Sequence, residues 1–143
     1  GPPVLTWVPL GPSRLRARGY DQARALAVAL SELSGWPLRR LLVRAVDTPP
    51  QARRGGAERR RALPGAFRAA RESCPPARVV LVDDVLTSGA TAAACARALL
   101  AAGAREVGVV TAARALGSGV PARCYTAPGL RPGSVVARER RSR

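Results

Sequence analysis

The stretch from Val79 to Thr91, VVLVDDVLTSGAT, constrains the fold of this chain more than any other segment. Its apolar opening, continued back to Arg78, is typical of a strand buried on both faces, and we predict a strand from Arg78 to Asp83. The Ala- and Leu-rich segment from Ala92 to Ala102 predicts a helix that ends at Gly103. A second apolar strand is predicted from Glu106 to Ala113. Strand, helix and strand at this spacing indicate a βαβ unit with parallel strands.

The turn between the first strand and the helix has the residue types of a phosphate-binding site. Ligands of parallel sheets bind beyond the carboxyl ends of the strands, and the first N–H groups of a helix attract anions. Gly89 allows close approach of a ligand to the backbone, and hydroxyl groups add donors. We therefore predict a phosphate site formed by Val85, Leu86, Thr87, Ser88, Gly89, Ala90 and Thr91.

Asp83 and Asp84 lie next to this predicted phosphate site. Two adjacent carboxylates would repel a phosphate, so they need another role. They would accept hydrogen bonds from neighbouring ribose hydroxyls, or help to hold a Mg²⁺ ion carried with pyrophosphate. We predict that both are catalytic and that both contact the metal indirectly. The alternative is structural: the acids merely end a strand, and the following turn merely caps a helix.

Elsewhere the pattern predicts shorter elements around this unit. Asp21 is a predicted N-cap for a helix from Gln22 to about Leu33, whose Leu26, Leu30 and Leu33 share one face. Strands are predicted at Val4–Val8, Leu38–Val43, Ala66–Ala69 and near Ala122–Thr126, with a loop from Pro9 to Gly19. The predicted fold class is α/β, with a twisted, mainly parallel sheet flanked by helices. We expect a single domain over residues 1–143, a long mobile loop at about 45–65 and a flexible basic tail at 132–143.

Charge and residue usage narrow the classes of function. The formal net charge is +15, and all 24 basic residues are Arg, which indicates an anionic partner, whether phosphate, nucleic acid or both; the alternative is a generally basic soluble protein. The chain has no His, which excludes Ser-His and Cys-His nucleophilic mechanisms. Its three widely spaced cysteines argue against a structural zinc site and fit a reducing compartment. No segment suits a membrane span or a signal peptide, so we expect a cytoplasmic protein without membrane insertion.

The central motif closely resembles the phosphoribosyl pyrophosphate signature of type I phosphoribosyltransferases, in which two acids and a Thr/Ser-Gly-x-Thr turn follow an apolar strand. Further blocks are similar to the ComF/GntX family, which is associated with DNA uptake in natural transformation. These blocks are Val8-Pro9-Leu10, Arg18-Gly19-Tyr20-Asp21-Gln22-Ala23 with Leu26-Ala27, Thr48 to Gln51, Glu58-Arg59, Gly65-Ala66-Phe67 and Thr111 to Arg114. Together they cover most of the chain from Val4 to Arg114.

This resemblance implies a type I phosphoribosyltransferase-like fold and a ligand of phosphoribosyl pyrophosphate or ribose 5-phosphate, with Mg²⁺. It implies pyrophosphate contacts at Pro9, Leu10, Arg18, Gln51 and Arg59. The long loop resembles the flexible loop that closes over the reaction centre in such enzymes. The chain departs from the family pattern at Asp21 and Ala62, where Asn is usual, and the family's cysteine-rich N-terminal segment is not part of the printed sequence.

Three functions remain open at this stage. The first is a ComF-like protein that binds phosphoribosyl pyrophosphate and supports DNA uptake or processing, with single-stranded DNA as a possible partner through arginines and the exposed Tyr20. The second is an active phosphoribosyltransferase of nucleotide salvage, and the third is a non-catalytic sensor of phosphoribosyl pyrophosphate. No pocket for an accepting base is evident, since only Gly1 to Leu5 and Leu116 to Arg143 remain to build one. Homo-oligomer formation is also open.

Overall fold

The βαβ unit predicted from the central motif is present in the computed structural model, which describes residues 1–45, 65–71, 74–86, 89–114 and 124–126. The first strand ends three residues later than predicted and the second one residue later, whereas the helix begins two residues earlier than predicted and ends one residue earlier. In chain order the elements are β1 (Val4–Trp7), α1 (Pro12–Arg18), α2 (Gln22–Ser34), β2 (Leu42–Arg44), β3 (Phe67–Ala69), β4 (Arg78–Leu86), α3 (Ala90–Ala101), β5 (Glu106–Arg114) and β6 (Cys124–Thr126).

The main sheet has the strand order β1-β4-β5-β6. The first three strands run parallel, and β6 pairs antiparallel with β5. Together with the flanking helices, this arrangement confirms the predicted α/β class. The strands β2 and β3 form a separate antiparallel pair.

The strand predicted from Leu38 to Val43 is therefore only partly correct. Leu38 makes one parallel bridge to Leu5 at the edge of the main sheet. Three residues later the N–H of Leu41 donates to the Thr6 hydroxyl, 3.2 Å away, instead of to a backbone carbonyl. The chain leaves the sheet edge at this point, and the regular strand begins at Leu42, where it pairs with β3.

The two faces of the main sheet are covered by different elements. On β4, Val79 and Leu81 pack towards α3 and the β2–β3 pair, whereas Val80 and Val82 pack towards α2. The α3 side contains the larger buried cluster: Val4, Val8, Leu41, Leu42, Ala66, Phe67, Val79, Leu81, Ala92, Cys95, Ala96, Leu99, Ala104 and Val107. On the α2 side, the buried residues among those that the structure describes are Leu5, Ala27 and Val82, with further apolar residues partly buried against them.

Helix α2 begins and ends as predicted, but only part of the predicted leucine stripe faces the core: Leu26 and Leu30 pack against it and are partly buried. Asp21 caps the helix by accepting a hydrogen bond from the Arg24 N–H, and Gly35 ends it in the left-handed conformation. Its buried residues are Ala23 and Ala27, whereas Leu33 is 87% exposed, so the core assignment of Leu33 is wrong. Leu33 follows Ala27 by six residues, which places it about 120° around the helix.

The prediction of a loop from Pro9 to Gly19 is also wrong, because this segment contains α1. Pro12 at the start of α1 has a backbone angle suited to a first helical turn, and Gly19 ends the helix at φ 79°. None of the residues of α1 is buried, so the helix has no apolar stripe that periodicity could reveal. The arginines at positions 14, 16 and 18 therefore lie on a helix.

The structure also shows whether several individual residues are buried or exposed. Cys95 is fully buried in α3, and Phe67 is buried in β3. Tyr20 is exposed, as predicted for an aromatic side chain beside Arg18. No helix in the described ranges is both long and apolar enough to cross a membrane. Most of the predicted long loop and the whole tail at 132–143 lie outside the described residues.

Candidate ligand-binding site

The carboxyl end of β4 and the beginning of α3 form the floor of the candidate site. Strand β4 continues through the acidic pair to Leu86, so Asp83 and Asp84 are strand residues and the predicted end of the strand at Asp83 is wrong. Pairing with β5 extends the strand, with Asp83 opposite Thr111 and Leu86 opposite Arg114. Gly89, in the left-handed conformation at φ 79°, is the N-cap of α3, and no side chain caps this helix.

A cavity of about 490 Å³ lies above this floor. Four parts of the chain besides β4 and α3 contribute walls: the segment after β1, helix α1, helix α2 and the end of β2. The lining residues are Val8, Pro9, Leu10, Arg14, Arg18, Asp21, Gln22, Ala23, Arg44, Asp83, Asp84, Val85 and Thr91. A cavity of this size lies within the range of about 300–1,000 Å³ that is usual for small-molecule sites.

Asp83 is the buried member of the acidic pair, with 9% of its surface exposed. Its Oδ1 accepts a hydrogen bond from the Asp84 N–H at 2.9 Å. Burial is the main cause that raises the pKa of Asp83 to about 7; the Asp84 side chain and the charges of Asp84 and Asp21 add to it, and the Asp84 N–H opposes it. Near neutral pH this carboxyl therefore exchanges readily between its charged and uncharged forms.

Asp84 is the accessible member of the pair and points to the α2 side. Its Oδ1 accepts from the Val85 N–H at 2.8 Å, and its Oδ2 lies 4.0 Å from Arg18 Nη1. Arg18 Nη1 also donates to Gln22 Oε1 at 3.0 Å. The side chains of Arg18 and Asp84 are 49% and 33% exposed, and exposed ion pairs contribute only about 0.2–1 kcal/mol. Little free energy would be lost if Arg18 turned towards a ligand anion.

Asp21 connects two walls of the cavity. Its Oδ1 accepts from the Arg24 N–H at 3.2 Å, which caps α2. Its Oδ2 accepts from the Leu10 N–H at 3.4 Å, which lies in the segment between β1 and α1. The carboxylate therefore has a second contact beyond the predicted cap, and the sequence alone did not indicate it.

Arg44 is a lining residue that the sequence analysis missed. It is the last residue of β2, and its guanidinium lies over the Phe67 ring, 5.3 Å from the ring centroid. The available signal was its position, directly after an apolar segment and before the long arginine-rich loop. Arg14 on helix α1 also lines the cavity, while Arg16 on the same helix does not.

Seven of the predicted site residues meet at this one cavity: Pro9, Leu10, Arg18, Asp83, Asp84, Val85 and Thr91. Leu86 ends β4, and Gly89 and Ala90 begin α3, so they lie at the same edge of the sheet. Thr87, Ser88, Gln51 and Arg59 lie outside the described residues. Ala62, one of the two departures from the family pattern, also lies outside them.

The acidic pair supplies oxygen donors that suit Mg²⁺. Among the described residues, however, no group of three or more His, Cys, Asp or Glu side chains converges closely enough to hold a metal ion by itself. Asp83 and Asp84 fit a magnesium ion only if a ligand contributes further oxygens. This agrees with the usual behaviour of Mg²⁺, which binds through one or two carboxylates together with substrate phosphates.

A parallel sheet with acids at the carboxyl end of a central strand, followed by a helix that begins at a glycine, defines an α/β protein with a site suited to phosphate ligands. Comparison with known families specifies the class: residues 43–126 match the model described as phosphoribosyl transferase domain. The chain belongs to this phosphoribosyltransferase family, and the type I fold predicted from the motifs is confirmed.

A second comparison concerns the predicted ComF resemblance, which is also confirmed. The chain is 36% identical over 117 residues to competence protein F of Haemophilus influenzae. The match covers 80% of this chain and 51% of that relative, so the chain spans about half the length of the relative. No solved structure matches the chain.

Proposed function

We propose that this chain binds phosphoribosyl pyrophosphate, or a related ribose 5-phosphate, together with Mg²⁺ as a ComF-like protein associated with DNA uptake or processing. The observation that carries the ligand is the convergence of Arg18, Asp83 and Thr91 on one cavity. These residues come from α1, β4 and α3, and they supply a cation, a carboxylate and a hydroxyl at the start of a helix. A phosphorylated sugar needs all three kinds of group.

The proposed ligand orientation follows from the positions of these groups. The 5-phosphate would lie at the beginning of α3, near Gly89 and Thr91, where the helix end is electropositive. The ribose hydroxyls would donate to Asp83 and Asp84. The pyrophosphate would lie towards Arg18 and the segment of Pro9 and Leu10, because an arginine contacts two oxygens at once.

The acids would help to hold magnesium indirectly, because the ion would be carried by the ligand, which supplies most of its oxygen donors. When bound, the ion would neutralise part of the pyrophosphate charge. Asp83 would release its proton as the cation approaches, since the raised pKa of this carboxyl keeps it partly protonated at pH 7. We therefore expect ligand affinity in the presence of magnesium to rise between pH 6 and pH 8.

Calorimetric titration of phosphoribosyl pyrophosphate with MgCl₂ tests the central proposal. We expect binding by the natural chain, and loss of at least about tenfold in affinity in the Asp83→Asn/Asp84→Asn double variant, because two charge-assisted contacts are removed. The variant Glu32→Gln, which removes one acid from the exposed part of α2, is the matched control and should bind normally. Equal affinity in the double variant and the natural chain would refute the proposal. Thr87→Ala/Thr91→Ala tests the phosphate end in the same way.

Transfer of the phosphoribosyl group is the second candidate activity, favoured by arginines on two sides of the cavity. In that reaction the lone pair of a nucleophile forms a bond to C1 of the ribose while the bond from C1 to the pyrophosphate oxygen breaks, and its electron pair leaves with pyrophosphate. Arg14, Arg18 and Arg44 would stabilise the leaving charge. Release of pyrophosphate during an acceptor screen, absent in the double Asp variant, would support transfer.

Such a reaction also needs a binding site for the nucleophile that accepts the phosphoribosyl group. Residues Val4 to Trp7 form a strand of the main sheet, so most of the short segment from Gly1 to Leu5 is not available to build a base-binding hood. Binding of phosphoribosyl pyrophosphate without release of pyrophosphate in the presence of any tested acceptor would favour the third candidate, a sensor. Under that proposal, ligand binding would alter the affinity for another partner.

The proposed association with DNA draws on the chain's charge and on its similarity to a protein named for competence. Tyr20, which is 55% exposed, lies beside Arg18 and offers one stacking surface for a base. Retention of a single-stranded oligonucleotide, measured against salt concentration, tests this part separately. Absence of retention even at low ionic strength would refute DNA binding and leave the ligand proposal intact. Sedimentation in the same buffers would test the proposed homo-oligomer.

A further inference from the structure

The candidate cavity has a different charge balance from the chain as a whole. The chain carries a formal net charge of +15 and only nine acids. Three of those acids, Asp21, Asp83 and Asp84, line the same cavity as three of the arginines. The formal charges of these lining residues therefore cancel, although a free diphosphate would be attracted by an excess of arginine. A balanced cavity of this kind favours a ligand whose own charge is partly neutralised.

Asp21 has the geometry of a competitor for the diphosphate end of the ligand. Its Oδ2 accepts from the Leu10 N–H at 3.4 Å. Leu10 lies in the segment expected to contact pyrophosphate, where backbone N–H groups would donate to phosphate oxygens. The Asp21 carboxylate thus accepts a hydrogen bond from an N–H group that would otherwise donate to the ligand. The contact is long for a hydrogen bond between an amide and an oxygen, so a ligand oxygen would displace it at little cost.

We propose that Asp21 is a specificity-determining residue that disfavours free diphosphate relative to its magnesium complex. It does so in two ways: it competes for the Leu10 N–H, and it places a negative charge on the cavity wall. The charge acts more strongly against free diphosphate than against the complex, since the bound cation lowers the net charge of the ligand. The inference rests on the proposed function, because it assumes that a diphosphate group occupies this end of the cavity.

The substitution Asp21→Asn separates this role from helix capping. Asn and Asp cap helices about equally well, so the contact with the Arg24 N–H would persist through the amide oxygen. The remaining amide nitrogen is a donor and cannot accept from the Leu10 N–H. Asp21→Asn therefore removes the charge and the competing acceptor together and keeps the cap. Asp21→Ser also keeps a capping oxygen and loses the charge, which provides a second variant if the first folds poorly.

The test is calorimetric titration of inorganic pyrophosphate into the natural chain, Asp21→Asn, Asp21→Ser and Glu32→Gln, in chelator and then in MgCl₂. We expect Asp21→Asn and Asp21→Ser to bind metal-free pyrophosphate about tenfold more tightly than the natural chain. In MgCl₂ the gain should shrink to about threefold or less. Glu32→Gln removes one negative charge from the same helix, eleven residues further along, and should change neither affinity. Pyrophosphate bound by Asp21→Asn but not measurably by the natural chain would also support the inference.

Three outcomes would overturn this role for Asp21. Unchanged affinity in Asp21→Asn would show that the residue is only a cap, and weaker binding would show that it mainly holds the Leu10 segment in place. An equal gain with and without magnesium would refute the discrimination. Titration of phosphoribosyl pyrophosphate into the natural chain distinguishes these failures from failure of the proposed function. If that ligand binds while Asp21→Asn matches the natural chain towards pyrophosphate, only the inference is wrong.

Discussion

Asp83 and Asp84 are neighbours in the chain, yet they lie in opposite environments. Asp83 points towards α3 and is buried, with its pKa raised to about 7. Asp84 points towards α2, is partly exposed and lies near Arg18. Successive residues of a strand necessarily face opposite sides of the sheet. A pair of adjacent acids therefore yields two chemically different carboxylates whenever the two faces are covered unequally.

The coverage of the two faces differs because their helices pack differently. Within the described ranges, the buried cluster on the α3 side contains fourteen residues and the one on the α2 side contains three, so the second face is covered less deeply. Helix α3 buries Cys95 and Leu99 against the sheet, whereas α2 buries only alanines. The deeper face removes water from Asp83, and the thinner face leaves Asp84 accessible to solvent, to Arg18 and to a ligand.

The largest expected difference between the faces concerns stability. Leu99→Ala should lower the free energy of unfolding by about 2–5 kcal/mol, because it creates a cavity in the deeper cluster. Leu30→Ala, on the half-buried side of α2, should cost clearly less. Urea unfolding of both variants measures the difference. Equal losses would contradict the unequal packing of the two faces.

The second prediction concerns how the stability of the protein depends on pH, which should differ between variants of Asp83 and Asp84. A buried Asp whose folded pKa is about 7, against an ordinary value of 3.8, binds more protons in the native state than in the unfolded state over this range. Stability from this group is therefore highest below about pH 4 and falls as pH rises to about 7. Asp83→Asn should remove this loss, on the order of 4 kcal/mol at pH 8, since one pKa unit corresponds to about 1.4 kcal/mol.

Asp84→Asn supplies the comparison for that experiment. Its effect on stability should be much smaller than that of Asp83→Asn, and it should lower the pKa of Asp83, because Asp84 contributes to the raised value. Urea unfolding between pH 4 and pH 8 measures both variants. A steeper loss of stability with pH in Asp83→Asn than in the natural chain would contradict the assignment of the buried acid.

The third prediction concerns the cation on the thinner face. Arg18→Gln should weaken binding of phosphoribosyl pyrophosphate about tenfold, because hydrogen bonds to charged groups are worth about 1.5–3 kcal/mol. Arg16→Gln is the matched control, since Arg16 lies on the same helix but does not line the cavity. Calorimetry with MgCl₂ measures both. Equal weakening in the two variants would indicate a general effect of charge instead of a contact.

The smallest expected effect is at Leu33. Leu33→Ser should change the free energy of unfolding by no more than about 0.5 kcal/mol, because the side chain is almost fully exposed. The measurement is again urea unfolding. A loss of more than about 1.5 kcal/mol would show that Leu33 is buried against another surface in solution. The α2 side would then bury more apolar surface than the structure describes.

The parts of the fold that were predictable from the sequence share a continuous local pattern. The apolar run of β4, the Ala-rich α3 and the glycine that follows it are visible in consecutive residues. Helix α1 was missed because none of its residues is buried. Leu33 was misplaced because the buried face of α2 centres on Ala23 and Ala27, with Leu26 and Leu30 partly buried beside them, and Leu33 lies about 120° around the helix from Ala27. The inequality of Asp83 and Asp84 required knowing which helix covers which face.

The residues of the candidate site likewise divide into those that were predictable from the sequence and those that were not. Asp83, Asp84 and Thr91 were predicted because they belong to one contiguous motif. Arg44 and the second contact of Asp21 were missed, since both depend on segments that meet only in the folded chain. Arg44 reaches the cavity from the separate β2–β3 pair, and Asp21 contacts Leu10 across eleven positions of sequence. Nothing local to either residue indicates those neighbours.

The departure of the chain from the main sheet at Leu41 has a consequence for how copies of this protein meet. Strand β1 lies at the edge of its sheet, where unpaired backbone groups commonly invite strands from other molecules. Here the Leu5 N–H donates to the Pro37 carbonyl, and the Leu5 carbonyl accepts from the Arg39 N–H. Beyond these two bonds, the Thr6 hydroxyl accepts a hydrogen bond from the Leu41 N–H. A short length of the chain itself thus blocks this edge against strand addition and the aggregation that follows from it.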